Sequence, residues 1–203
     1  MTYSTLYARV LDEAVRSDIT DTLFQYWLRD FEAYANRVLR ERDMVQRDTA
    51  DISDPTSAVP DDFLKPRIMF LTASPTTIIK FLTTDQMAQV KEAGRTGQLA
   101  YYSLSGPNFE YYPVPTTPVN VTLEYEQYVP PLTAAAPSNW LRAKHPDAYL
   151  RGVMWQFGAW DKDGDRVALN KAAMDEALGQ IESADRRDAM AFNITPTPSA
   201  FAV

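Results

Sequence analysis

Pro130-Pro131-Leu132, Pro137-Ser138-Asn139-Trp140-Leu141 and His145-Pro146-Asp147-Ala148-Tyr149-Leu150 form the stretch of sequence that decides the fold of this chain. It leads from a proline-rich loop through a short helix into a long apolar helix, with an aromatic or aliphatic residue at each junction. His145 is predicted as the N-cap of the long helix, and Pro146 occupies the first helical position, where its missing N–H costs no hydrogen bond. The stretch offers anchors and turns but no convergent acid, base or nucleophile, which favours an assembly element over a catalytic one.

Helical periodicity precedes and follows this stretch. Apolar residues recur every three or four positions after Ser4, the predicted first N-cap, and again from Thr20 to Arg40. The two segments are predicted to form a helical hairpin. The helix that begins at Pro146 is apolar on more than one side, as in a helix at the centre of a bundle or oligomer. Gly152 and Gly158 within it each cost about 1 kcal/mol relative to Ala, so we expect close backbone packing at both.

The middle of the chain, residues 41–137, has a different pattern, with short β-rich runs between turn signals. A short helix is predicted from Thr84 to Gly94, and Ser105-Gly106-Pro107-Asn108 is the clearest hairpin turn. The predicted strands are Met44–Ile52, Arg67–Thr72, Thr77–Phe81, Leu99–Leu104, Phe109–Pro113 and Val119–Tyr128. This region is therefore predicted to be a β-rich insertion.

The end of the chain combines a last helix with a neutral tail. The helix is predicted from Asp165, as its N-cap, to about Ala184. Residues 189–203 carry no charge, and their prolines disfavour a helix. Apolar side chains alternate at its start, as in a strand that adds to a sheet edge. The predicted fold class is α+β: a helical bundle from both chain ends (1–40 and 138–188), a β-rich insertion (41–137) and an extended C-terminal tail (189–203).

Composition excludes several classes of function. The net charge of −7 and the pI near 4.7 argue against nucleic-acid binding as the primary function, because such binding depends on Lys and Arg side chains that neutralise phosphates. The chain has no cysteine, so disulfides and thiolate chemistry are excluded. No run of eighteen apolar residues and no signal-peptide pattern at the N-terminus are present, so we expect no membrane partner.

Two features resemble catalytic or metal-binding motifs superficially. Asp161-Lys162-Asp163-Gly164-Asp165 lacks the glycine and glutamate positions of a calcium loop, so an interhelical turn is the favoured interpretation. His145, the only histidine, has no nucleophile nearby, and no strand-turn-helix nucleophile motif is present. We predict no catalytic residue, no metal site and no cofactor.

An alternative hypothesis uses the β-rich region. Asp61 and Asp62 could act as an acid pair, and the aromatic residues around Tyr101 and Tyr112 could stack on a ligand. These residues would suit a small virion-associated enzyme or carbohydrate-binding protein. Adjacent surface acids are common and no basic residues interleave the tyrosines, so solvated acids and cross-strand packing are the simpler interpretations.

The order of these elements resembles the head-tail connector, or adaptor, proteins of tailed bacteriophages, of the podovirus type that docks on the portal. The similarity spans most of the chain. It is carried by Phe31-Glu32-Ala33, Arg37, Leu39-Arg40, Met44, Val59-Pro60-Asp61-Asp62-Phe63-Leu64, Tyr101-Tyr102, Gly106, Pro113-Val114-Pro115, Leu123-Glu124-Tyr125, Pro131-Leu132, Asn139-Trp140-Leu141, Pro146-Asp147-Ala148-Tyr149-Leu150 and Asp163. The sequence departs from the family pattern at Pro107 and Arg151.

The resemblance implies a structural protein of the virion, made in the host cytoplasm and located at the head-tail junction. It implies a homo-oligomeric ring, of twelve copies to match the portal, with the portal protein and tail or nozzle proteins as partners. DNA would pass through the ring without specific binding. We expect the contacts to use apolar side chains of the return stretch, the central helix and the tail: Trp140, Tyr149, Trp155, Met190, Phe192, Ile194 and Phe201.

Overall fold

The computed structural model describes residues 2–73 and 76–192, with side chains up to residue 187. In these residues the helices are α1 (Tyr3–Ala14), α2 (Asp21–Val38), α3 (Thr84–Glu92), α4 (Trp140–Lys144), α5 (Pro146–Asp161) and α6 (Gly164–Phe192). The strands are β1 (Val45–Ile52), β2 (Thr56–Ala58), β3 (Phe63–Leu71), β4 (Thr77–Phe81), β5 (Tyr101–Ser105), β6 (Asn108–Tyr112) and β7 (Val119–Gln127). The fold class is α+β, as predicted.

The chain divides into two compact units. One combines Met1–Asp43 with Val129–Val203 and contains α1, α2 and α4–α6, and the other is Met44–Tyr128 with the sheet and α3. We call them the helical unit and the sheet unit. The sheet unit is shorter than residues 41–137, because the loop after Tyr128 already bonds to α2: the Val129 N–H donates to Asn36 Oδ1 at 2.7 Å.

Helix α5 lies at the centre of the helical unit and contacts α1, α2, α4 and α6. Its apolar residues are buried on several sides, as the sequence predicted. A Cβ atom at Gly152 would overlap the ring of Phe31 on α2, and one at Gly158 would lie 3.1 Å from the backbone nitrogen of Val167 on α6. The expectation of close packing at both glycines is therefore confirmed.

Two of the predicted helix caps need correction. The side chain that caps α1 belongs to Thr2 and not to Ser4, since Thr2 Oγ1 accepts from the Thr5 N–H. The cap of α6 is Asp163 and not Asp165, since its Oδ1 accepts the Arg166 N–H at 3.0 Å. His145 is the N-cap residue of α5 and Pro146 its first helical residue, as predicted, although the His145 side chain makes no capping bond. Several residues at each boundary could cap, and the backbone path decides which side chain reaches the free N–H groups.

The last helix continues to Phe192, well beyond the predicted end at Ala184. No glycine or proline interrupts residues 184–192, which are rich in good helix formers. Ser183 does not end the helix, because its hydroxyl donates back to the Gly179 carbonyl at 2.7 Å. The prediction that the tail is extended from residue 189 was therefore wrong for Met190 and Phe192, whose backbone is helical. Ile194 and Phe201 lie outside the described residues.

The sheet unit contains one seven-stranded sheet with strand order β1-β7-β3-β4-β5-β6-β2. All pairs are antiparallel except β4 with β5. The sequence missed β2, which has only three residues, and it started β3 four residues late because Pro66 disfavours a strand interior. The sheet accommodates Pro66 at a register shift against β7. The core of the unit includes Met69, Leu71, Phe109 and Leu123.

In the described part of the chain, no helix is both long and apolar enough to cross a membrane.

The packing at Gly152 predicts opposite effects for two matched substitutions. Gly152→Ala should lower the free energy of unfolding by about 1–3 kcal/mol, because the added methyl group must displace the buried Phe31 ring. Gly179→Ala should raise the free energy of unfolding by up to about 1 kcal/mol, because Ala has the higher helix propensity. An added Cβ atom at Gly179 would meet no heavy atom within 4 Å outside its own stretch of helix. Urea unfolding followed by circular dichroism measures both. Stabilisation by both substitutions would contradict the close contact between α2 and α5.

Candidate functional site

The return segment, residues 129–150, brings the chain back into the helical unit and is held by Asn139. Asn139 Oδ1 accepts the Arg142 N–H at 2.9 Å and so caps α4. Its Nδ2 donates to the Pro130 carbonyl at 2.6 Å and to the Tyr149 hydroxyl oxygen at 2.6 Å. One buried amide therefore links the proline-rich loop, the short helix and the central helix.

Glu32 on α2 completes this buried network from the other side. Its Oε1 accepts the Leu132 N–H at 2.8 Å and the Tyr149 O–H at 2.9 Å. The side chain is 5% exposed. Burial raises the pKa of Glu32 to about 7, although the two hydrogen bonds and the charge of Arg29 act in the opposite direction. Burial likewise raises the pKa of the Tyr149 hydroxyl. The network fixes the geometry of the return segment.

Arg142 is the least expected residue of the return segment. Only 1% of it is exposed, and its Nε and Nη2 atoms are buried without a hydrogen-bond partner among the described residues. Burial lowers the pKa of this guanidinium because the charged form loses its hydration. Neither Glu32 nor Arg142 carried a predicted role, since a polar residue on an apolar helix gives no local sign that it will be buried.

The candidate interface residues have different environments. Trp140 and Trp155 are half-buried, and the Trp155 ring packs edge-on against Tyr34 with centroids 5.4 Å apart. Tyr149 is fully buried within the helical unit, so it serves the internal network and offers no surface to a partner. Side chains beyond residue 187, including those of Met190 and Phe192, lie outside the described part of the chain.

A surface that the sequence analysis did not single out lies where α1 and α5 end. Trp160 is 40% exposed, and the Arg16 guanidinium lies 5.1 Å from the centre of its ring. Arg16 also pairs with Asp161, with Nη1 and Oδ1 2.6 Å apart. Val15 is 86% exposed and has a positive φ of 54°. That conformation is costly for a β-branched residue. Val15 and Trp160 are thus exposed apolar side chains near Arg16, which is held by its contacts with Trp160 and Asp161.

The residues of the alternative hypothesis have different environments. The Asp62 carboxylate is occupied, since it accepts the Tyr125 O–H at 2.8 Å, whereas Asp61 is exposed. Tyr101 and Tyr112 are direct cross-strand partners on β5 and β6. Asp62 thus holds Tyr125, and the two tyrosines take part in strand pairing.

The Asp161–Asp165 segment is an interhelical turn, in which Asp163 caps α6. Within residues 2–73 and 76–192, no three His, Cys, Asp or Glu side chains are grouped so that they could hold a metal ion.

The pKa of Glu32 predicts a pH dependence of stability. The folded state binds the Glu32 proton more tightly than the unfolded state, whose pKa is near 4.5. The resulting stabilisation is complete below pH 4.5 and is lost as the pH rises to about 7, a change of about 3 kcal/mol. Glu32→Gln keeps an accepting oxygen, so wild type should lose this amount relative to the variant over that range, as measured by urea unfolding.

Comparison of Glu32→Ala with Glu32→Gln separates the effect of the Glu32 charge on stability from the effect of its hydrogen bonds. It also removes the titrating group, but it leaves the Leu132 N–H and the Tyr149 O–H without their acceptor, so it should be less stable than Glu32→Gln at every pH. A difference between wild type and Glu32→Gln that stays constant from pH 4.5 to 7 would contradict the burial of an ionisable Glu32.

Comparison with known families agrees with the resemblance found in the sequence. The family model described as "SU10 adaptor protein" matches residues 1–197, a span that includes the sheet unit and all but the last six residues of the helical unit. No curated protein matches the chain significantly. Adaptors of this kind are structural rather than catalytic components of the virion. The chain therefore belongs to the SU10 adaptor protein family, a family of phage head-tail adaptors.

Proposed function

We propose that this phage adaptor acts as a head-tail connector, forming a ring of twelve copies below the portal and joining the head to tail or nozzle proteins. The observation that carries the proposal is the family match over residues 1–197. The helical unit would make the ring, and the end of the chain would reach a neighbouring copy or the portal. The role is structural and requires no catalysis.

The exposed apolar side chains of the helical unit support a role in assembly. Four large apolar residues have much of their surface exposed. One follows α1 and the others lie on α2, α5 and α6: Val15, Tyr26, Trp160 and Leu169. Tyrosine and tryptophan are enriched in protein interfaces, where they bury large areas at little cost in conformational entropy. Trp155 remains a candidate contact because its ring is only half-buried.

The charge of the chain supports the passage of DNA without binding. The protein carries a net charge of −7. A ring of such subunits has a net negative charge, and its repulsion of the negatively charged DNA duplex would keep the DNA from adhering to the ring. The proposal therefore assigns DNA the role of a passing polymer and not of a ligand.

Electron microscopy of the protein mixed with portal rings tests the proposal. We expect an additional layer with the rotational symmetry of the portal, on the face from which DNA leaves, because the adaptor should assemble on the portal surface. Twelve copies per ring are predicted. Portal rings that remain without such a layer at saturating adaptor concentration would contradict the proposal.

A shortened chain provides the matched variant for this experiment. Deletion of residues 193–203 removes the neutral end of the chain, including Ile194 and Phe201, and retains all of α6. We expect the shortened protein to unfold at the wild-type temperature but to no longer sediment with portal rings. Unchanged sedimentation would exclude this segment from the contact while leaving the connector proposal to the microscopy.

A further inference from the structure

Strand β1 forms one edge of the sheet in the sheet unit. It stands at the end of the strand order, and within the described residues β7 is the one strand that pairs with it. The six residues Gln46–Asp51 of this strand are all exposed. A strand with a free edge presents a row of backbone N–H and C=O groups, to which an extended segment of another molecule can add.

The hydrogen bonds of the neighbouring strands show which residues of β1 face its free edge. The Thr72 N–H, next to the end of β3, donates to the Asn120 carbonyl at 3.0 Å, so the even-numbered residues of β7 bond towards β3. Residues of an antiparallel strand bond alternately to its two sides, so the odd-numbered residues of β7 bond to β1. Their partners on β1 are even-numbered, as in the pair Val121 and Ala50. The odd-numbered residues of β1 therefore hold their backbone groups at the free edge: Arg47, Thr49 and Asp51.

A small apolar cavity lies along the same edge. It has a volume of about 60 Å³ and is lined by residues of the two edge strands, β1 and β2, and by core side chains that include Met69 and Leu123. Directly opposite residues of paired strands share a face, so the even-numbered side chains of β1 lie on the core face with Val121 and Leu123. A strand added to β1 therefore points one set of its side chains towards the cavity and the other set towards solvent.

The end of the chain has a proline pattern that fits one side of such an edge. Residues 193–203 carry no charge, and prolines occupy positions 196 and 198. Proline has no N–H, so in a strand it suits the side that faces away from the neighbouring strand. Only the odd-numbered residues of this stretch can then donate to β1: Thr195, Thr197 and Ser199. They match the three odd-numbered residues at the edge of β1 in number and spacing.

The side chains of this segment alternate in the same register. In an antiparallel pair the three donors lie opposite odd-numbered residues of β1 and face solvent, and all three have hydroxyl side chains. The remaining set is apolar and faces the cavity: Ile194, Pro196, Pro198 and Ala200. One antiparallel register thus satisfies the backbone donors, the prolines and the apolar side chains together.

We propose that residues 194–200 of a neighbouring copy add to β1 as an antiparallel strand when the adaptor assembles. This inference rests on the proposed connector function and assigns the end of the chain to the neighbouring copy. Every copy of a homo-oligomer carries both the edge and the segment, so the contact repeats around a closed ring. The Thr49 N–H, which donates to Asp48 Oδ1 at 2.8 Å in this structure, exchanges that acceptor for a backbone carbonyl of the added strand.

A synthetic peptide of residues 193–203 tests the site on the dilute full-length protein, without the portal. Hydrogen exchange followed by NMR reports each amide of β1 separately. Excess peptide should slow the exchange of the three edge amides by about tenfold or more, since each gains a hydrogen bond: Arg47, Thr49 and Asp51. The Asp48 and Ala50 amides, which face β7, should not change. Unchanged exchange of the three edge amides at millimolar peptide would overturn the proposal.

Two modified peptides test the pairing itself. N-methylation at Thr197 removes a donor that faces β1, whereas N-methylation at Ala200 removes an N–H on the outer side of the added strand. The first should weaken binding by about tenfold or more and the second should leave it unchanged. The prolines prevent the peptide from avoiding the first modification by a shift of one residue. Equal binding of the two peptides would overturn the antiparallel register.

Hydrogen-exchange mass spectrometry of β1 identifies the source of the strand in the assembled protein. Wild type should gain protection of β1 when it binds portal rings, Thr197→Pro should lose this gain, and the matched change Pro198→Ala should keep it. Protection already present in dilute wild type would assign the strand to the same copy, and protection retained by Thr197→Pro would assign it to the portal. Either result would overturn the proposal. If wild type itself does not bind portal rings, the connector function fails, and the peptide experiment still decides whether β1 accepts the segment.

Discussion

The helical unit depends on one buried carboxylate. Glu32 accepts hydrogen bonds from the Leu132 N–H and the Tyr149 O–H, and so joins residues that are 100 and 117 positions away in sequence. An unsatisfied buried polar group costs about 1–3 kcal/mol, so each partner requires the others in place. These hydrogen bonds fix the path of the return segment from Leu132 to Tyr149 on α5. A proline-rich loop with few apolar anchors becomes part of the folded unit in this way.

Three polar side chains in the interior of the helical unit are hydrogen-bonded to one another, whereas parts of its surface are apolar. Asn139, Tyr149 and Glu32 bond to one another and hold the return segment together. Near Trp160, by contrast, exposed aromatic surface lies beside the Arg16 guanidinium. The internal network keeps the unit rigid, whereas exposed aromatic surface is suited to contacts with other molecules.

Sequence patterns predicted features that depend on local spacing. The 3.6-residue period located α1, α2 and α5, and the two glycines of α5 indicated contacts that the structure contains. The same patterns missed what depends on distant residues. The burial of Tyr149 and the role of Glu32 arise from a loop 100 residues away from that glutamate. The three-residue strand β2 exists only through its pairing with β6, and α6 continues past Ala184 because nothing in its sequence stops it.

Hydrogen exchange at the Leu132 amide tests most directly whether the Glu32 carboxylate holds the return segment. Leu132 is 2% exposed and its N–H donates to Glu32. Its opening free energy, from native-state exchange followed by NMR, should therefore approach the free energy of global unfolding. The exposed loop residues Ala134 and Ala135 serve as references within the same molecule. Exchange of Leu132 as fast as that of Ala134 and Ala135 would contradict the account, because the loop would then open without disturbing the helical unit.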